Sequence, residues 1–226
     1  MNLHVAIDGP AASGKTTVAR ALAQRLGMLY LDTGTMYRAL AWLAMQAGCD
    51  PSSETALSAL LARHPITILP EPANRAGFRV TAGGREPGDA LYGAPVSAVV
   101  STVAAHPAVR RAMVARQREI ADAGPVVMAG RDIGTVVLPD APYKFFLTAS
   151  IDERVARRAA ELAEPGTSVD AAVLRSELER RDRLDTTRAV APLRAAPDAV
   201  EIDSTGSSAE AVLERMLALV CKGLPA

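Results

Sequence analysis

Three features of the sequence predict an α/β fold with a parallel sheet at its centre. Short apolar runs without internal alternation take turns with amphipathic helical stretches, the pattern of strands covered by helices on both faces. A glycine-containing loop, Gly9 to Thr16, joins the first such run to the first helical stretch. The composition, 49% hydrophobic and 22% charged over 226 residues, supplies a substantial core and argues against wholesale disorder, collagen and coiled coil.

Leu3 to Ile7 reads as a buried strand that runs into Asp8-Gly9-Pro10, a turn composition. Val18, Leu22 and Leu26 then recur at intervals of four and predict a helix that Gly27 closes. A strand is expected over Met28 to Leu31 and a helix from about Thr35 to Ala47. After the turn Pro51-Ser52-Ser53 comes a helix from about Glu54 to Arg63. Further strands fit Val126 to Ala129, Tyr143 to Leu147 and Val200 to Ile202.

Two regions break this rhythm. Ile66-Thr67-Ile68-Leu69 and Phe78-Arg79-Val80-Thr81, with Pro, Asn and Gly between and after, look like a small antiparallel insert, which extends to about Gly88. From Ile151 to about Ala191 arginines and carboxylates gather at helical spacing around Pro165-Gly166, as two helices with salt-bridging faces. Between these regions, Val96 to Ala123 is helical on both sides of Pro107, so a break is expected near His106.

Lys and Arg together equal Asp and Glu at 25 each, which argues against nucleic acid or an anionic membrane as the main partner. Of the basic residues only Lys15, Lys144 and Lys222 are lysines. The rest are arginines, whose planar fork grips phosphate oxygens in pairs. Cys49 and Cys221 match no metal or redox spacing and are expected to be small core residues in a reducing cytoplasm. No basic leader precedes a long apolar stretch, and Ala39 to Met45 is too short to span a bilayer.

Gly9-Pro10-Ala11-Ala12-Ser13-Gly14-Lys15-Thr16 satisfies G-x-x-x-x-G-K-[ST] between a strand and a helix, the context that a phosphate-binding loop needs. Its backbone N–H groups turn inward around phosphate oxygens, and the helix N-terminus points at the same anion. Lys15 adds a mobile charge for the β- and γ-phosphates of a nucleoside triphosphate, and the Thr16 hydroxyl suits the accompanying Mg²⁺. A guanine-nucleotide switch loses weight, because no lysine follows an asparagine as Asn-Lys-x-Asp requires. Arg38, Arg131, Arg181 and Arg188 at element ends suggest a site holding more negative charge than one triphosphate brings. Two other readings stay open: a kinase of a small-molecule hydroxyl with Asp32 as base, and a nucleotide-dependent switch that acts on a partner.

Nearly the whole chain resembles the bacterial cytidylate kinases, which are P-loop nucleoside monophosphate kinases. The resemblance runs through Ile7 to the P-loop, Leu31-Asp32-Thr33-Gly34 to Tyr37-Arg38, Gly130-Arg131-Asp132-Ile133-Gly134-Thr135-Val136-Val137, and Arg181-Asp182 to Arg188-Ala189-Val190-Ala191-Pro192-Leu193. It implies a single kinase domain in three parts. These are a parallel-sheet core (about 1–32, 124–150 and 192–226), a monophosphate-binding part (about 33–123, with the insert at about 64–95) and an arginine-bearing lid (about 151–191).

The activity implied is phosphorylation of CMP, and of dCMP, by MgATP. Thr33, Arg38, Ser101, Arg110, Arg131, Asp132, Asp185 and Arg188 would form the CMP site. In it Arg38, Arg131 and Arg188 meet the acceptor phosphate, Ser101, Arg110 and Asp132 the cytosine, and Asp185 the sugar. Residues 9–17, ending at Thr17, and Arg157 fall on the ATP side, with Thr16 at the metal. Lys15, Arg131, Arg181 and Arg188 would be catalytic. The expected partners are these nucleotides alone, with no nucleic acid or membrane, and the expected state is a monomer. Two departures from the family pattern are Thr33, where serine is frequent, and the loop end Lys15-Thr16-Thr17, where relatives often have a glycine after the lysine.

Overall fold

A computed structural model describes residues 3–71, 78–162 and 170–223. The Pro165-Gly166 turn and the connection within the insert, 72–77, lie outside the described residues. Five parallel strands form the central sheet in the order β2-β5-β1-β6-β7. They are β1 (Val5–Asp8), β2 (Leu29–Asp32), β5 (Val126–Gly130), β6 (Tyr143–Thr148) and β7 (Val200–Asp203). Every residue of β1 and β5 is buried, which accounts for their lack of alternation.

The helices are α1 (Lys15–Leu26), α2 (Thr33–Gln46), α3 (Glu54–Arg63), α4 (Ala94–Ala105), α5 (Pro107–Asp122), α6 (Ile151–Leu162), α7 (Ala171–Thr187) and α8 (Ala209–Lys222). Gly27 closes α1 in the left-handed conformation, as its place after Leu26 predicted. The break at His106 separates α4 from α5, with Pro107 opening the second helix. Helix α2 starts two residues before the expected Thr35, because the Asp32 carboxylate accepts the Gly34 N–H at 3.0 Å and caps the helix. The insert is an antiparallel pair, β3 (Ile66–Pro70) and β4 (Phe78–Ala82), followed by a 3₁₀ turn at Gly88–Tyr92.

One expectation about packing needs correction. Cys221 is exposed and Cys49 only partly buried, so neither belongs to the fully buried core. Cys221 falls on the outer face of the last turn of α8, whose inner face carries Met216, Leu217 and Val220. Among the described residues no helix is long and apolar enough to cross a membrane.

The parallel strands end together at one edge, where α/β sheets gather ligands. Gly9 lets that edge close. Its φ is +152°, and a Cβ there would lie 2.0 Å from the Leu147 carbonyl oxygen of β6. A π-helical turn, Ile133–Val137, follows β5. The buried Asp8 carboxylate fastens this turn to β1 by accepting the N–H groups of Ile133 and Gly134, each at 2.8 Å. Burial pushes this carboxyl up to about 6, against the pull of its two donors.

Candidate active site

At the carboxyl edge lies a cavity of about 680 Å³, lined by the P-loop, the start of α2, α4, the end of β5 and α7. The loop turns through Ala12 (φ 58°) and Gly14 (φ 89°), left-handed positions that bend the backbone around the cavity mouth. Lys15 is buried, and its ammonium donates to the Pro10 carbonyl and, at 3.2 Å, to Ser13 Oγ. Burial and then Arg131 push its pKa well below the ordinary value, while Asp32, Asp8 and Asp185 pull it back. Thr16 Oγ1, in the exposed first turn of α1, donates to Asp32 Oδ2 at the end of β2 at 3.0 Å, which sets two hard oxygen atoms side by side. The same carboxylate already serves Gly34, so both of its oxygens are engaged.

Ala11, Ala12, Ser13, Gly14, Lys15, Thr16 and Thr17 all line this cavity. Arg157 does not. Its guanidinium reaches the loop from behind, donating to the Ser13 carbonyl at 3.3 Å and to Ser204 Oγ at 2.9 Å. The neighbouring Arg158 does line the cavity, a position that the spacing of the charged segment did not single out.

Facing the loop is a cluster of guanidinium groups. Arg38 donates to the Leu91 carbonyl at 2.9 Å and to Ser97 Oγ at 3.0 Å, and lies 5.5 Å from the Tyr92 ring centroid. Arg131 Nε donates to Asp185 Oδ2 at 2.8 Å. Arg188 Nε donates to the Ala191 carbonyl at 2.6 Å, a return made possible by the left-handed Ala191 (φ 51°). Arg181 is 8% exposed, and among the described residues its guanidinium has no hydrogen-bond or ion-pair partner. Burial, Arg38 and Arg131 push it down to about 10. An unpaired buried cation beside two others is costly, and such an arrangement fits an anion-binding site.

Beyond the arginines a second set of groups meets. Arg110 is 2% exposed and pairs directly with Asp132 Oδ2, while its Nη1 donates to the Ala104 carbonyl at 3.1 Å. Tyr37 lies beneath it, with the guanidinium 5.5 Å from the ring centroid. Arg188 approaches the other oxygen of Asp132 at 3.7 Å. Ser101 is buried on α4 and lines the same wall. Thr33 sits nearby, its hydroxyl donating to the Ala129 carbonyl at 3.0 Å.

Asp185 ties this cluster to acid stability. Burial alone would raise its carboxyl, yet Arg131, with Arg188 and Arg181, holds it below the ordinary 3.8. Its contribution is therefore present above 3.8 and disappears as pH falls through the depressed folded value. Urea midpoints of the wild type and of Asp185→Asn are expected to differ by a constant amount above that pH and to converge below it. A gap that widened on acidification would contradict this reading of the pair.

A family model described as cytidylate kinase matches residues 5–222. The chain is 50% identical over 218 residues to the cytidylate kinase of Geobacillus kaustophilus, which covers 96% of each chain. The chain belongs to the cytidylate kinase family. A second relative, the cytidylate kinase of Anoxybacillus flavithermus, is 48% identical over 218 residues, again covering 96% of each chain. A solved structure of an uncharacterised protein from Eubacterium ventriosum shares the fold at a TM-score of 0.55 and 12% identity, covering 98% of this chain and 99% of that one.

As a cytidylate kinase family member, the protein is a phosphotransferase, and its cavity gathers all the residues expected at its CMP site. Sequence reasoning passed over Asp8, Tyr37 and Arg154. Asp8 stood in plain view at a strand end beside a glycine, where a carboxylate often receives backbone N–H groups. Tyr37 lay next to Arg38 in a motif already quoted. Arg154 carried no signal that separated it from the arginines around it.

Proposed function

We propose that the protein transfers the γ-phosphoryl group of MgATP to a phosphate oxygen of CMP, giving ADP and CDP, and that dCMP serves as a second acceptor. The observation that carries this is Arg181, buried at the cavity it shares with Arg38 and Arg131 and, among the described residues, without a hydrogen-bond or ion-pair partner. One triphosphate bound by the P-loop does not call for so much opposing charge, whereas two phosphate-bearing substrates do.

The division of labour follows from placement. The P-loop amides and Lys15 take the triphosphate. Thr16, with Asp32 beside it, is suited to hold Mg²⁺, which when bound with ATP neutralises charge on the β- and γ-phosphates. Arg38, Arg131 and Arg188 receive the acceptor phosphate, and Asp185 offers a sugar hydroxyl the oxygen that Arg131 leaves unused. The acceptor phosphate, with a second pKa of about 6, is largely deprotonated and requires no general base. Alignment and charge cancellation are then the protein's whole task.

Cytosine recognition is supported by the Arg110–Asp132 pair. A carboxylate acceptor and a guanidinium donor stand together at the buried wall, complementary to the N4 amine and the N3 and O2 acceptors of cytosine. Uracil presents O4 and an N3–H to the same two groups, mismatching both. In keeping with the three-part division, the monophosphate side comprises about 33–123, the lid about 151–191 and the core the remainder. The working unit is a monomer in the cytoplasm, within pyrimidine nucleotide metabolism.

The test is ADP release with ATP and Mg²⁺ over CMP, dCMP, UMP, AMP, GMP, dTMP and shikimate. CMP is expected to lead, with dCMP behind it. Faster turnover with AMP, dTMP or shikimate would overturn the assignment, and shikimate in first place would favour a hydroxyl kinase using Asp32.

A further inference from the structure

Helix α7 carries Arg181 into the cavity, and something must set its height against the P-loop. Two observations converge on how. The first is a small apolar cluster separate from the main core, in which the loop residue Ala11 packs with Val155 of α6 and with Leu174 and Leu178 of α7. The second is Arg154, 7% exposed and outside the cavity lining. Its guanidinium donates to three segments at once: the Ala149 carbonyl just past β6 at 3.2 Å, the Ala11 carbonyl of the P-loop at 3.3 Å, and Asp182 Oδ2 of α7 at 2.6 Å.

Helical geometry makes this link consequential. Leu174, Leu178 and Asp182, each four apart, run along the face of α7 that meets α6 and the loop, with Leu178 at its border with the cavity. Arg181 and Asp185, also four apart, lie on a neighbouring face and turn into the cavity. Fixing Asp182 therefore fixes where Arg181 points. We infer that Arg154 is a positioning residue that registers α7 to the P-loop through Asp182 and Ala11, so that Arg181 meets the transferring phosphoryl group while water is kept out. This deepens the proposed function and rests on it.

A lost register lets water take the place of the acceptor oxygen, so that ATP yields ADP and free phosphate instead of ADP and CDP. The test compares wild type, Asp182→Asn, Arg154→Lys and the double variant, measuring both ADP and CDP, with thermal unfolding alongside. Lysine keeps the charge but lacks the fork that spans three acceptors. Each single variant is expected to lower CDP turnover by about 10- to 10²-fold and to raise the ADP-to-CDP ratio above unity. The double variant is expected to be no worse than the worse single one, since both remove the same link. A purely structural role lowers the unfolding temperature and leaves the ratio at unity.

A ratio of unity in both folded single variants, or losses that multiply in the double, overturns the inference. Wild-type failure to make CDP from CMP would instead overturn the proposed function. The same ratio is then read with whichever acceptor the substrate panel selects, and so still decides the role of Arg154.

Discussion

Replacing Arg181 with methionine is expected to cut turnover by about 10³- to 10⁵-fold while leaving the folded protein as stable as before or more so. The two halves of this result have one cause. Arg181 is buried, without a hydrogen-bond or ion-pair partner among the described residues, and is pushed down first by burial and then by Arg38 and Arg131, against the pull of Asp185 and Glu177. In the free protein its charge is desolvated and repelled, so a thioether of similar length relieves both terms. With both substrates bound, the same charge faces two sets of phosphate oxygens and stabilises the transfer between them. Steady-state kinetics and urea denaturation on the same preparation check the pair. A variant that lost stability in step with activity would show Arg181 to be a structural residue.

Asp132→Asn is the second large effect, and its readout is a ratio. The wild type is expected to prefer CMP over UMP by on the order of 10⁴-fold in kcat/KM, because uracil leaves buried polar groups of the Arg110–Asp132 pair mismatched. An asparagine at this place can turn its amide N–H₂ toward O4, so the preference should shrink by at least about 10²-fold. Asp132 also neighbours Arg188 at 3.7 Å, so general loss of turnover is expected too. That loss falls on both substrates alike and cancels in the ratio. An unchanged preference would place base discrimination elsewhere.

Much of the fold was legible because its signals are local. The bounds of α3 follow from Ser53, whose hydroxyl accepts the Ala56 N–H at 3.3 Å, and from the apolar spacing after it. Pro107 announces the break between α4 and α5, and the Pro, Asn and Gly between the runs at Ile66 and Phe78 announce the insert pair. The P-loop could be read because phosphate binding demands a compact, contiguous motif. What escaped depends on contacts between distant positions. Arg154 and Ala11 are 143 residues apart, and spacing along a charged helix shows which arginines share a face but not which face meets the loop. The exposed pairs of that segment, Arg175–Asp152 and Arg175–Glu179, fit the expected salt-bridging helices. Its inner residues, Arg154, Arg181 and Arg188, are the buried ones. Similarly, Asp8 looked like part of a turn until the π-helical turn beyond β5 came to rest on it.

In the proposed transfer, guanidinium groups cancel the repulsion between two bound anions. A crystal structure with a mimic that joins adenosine and cytidine through a polyphosphate bridge tests this most directly. Arg131, Arg181, Arg188 and Lys15 are predicted to converge on that bridge within hydrogen-bonding distance, with the cytosine edge against Asp132 and Arg110. Arginines turned to solvent, with the bridge held by the P-loop alone, would contradict it.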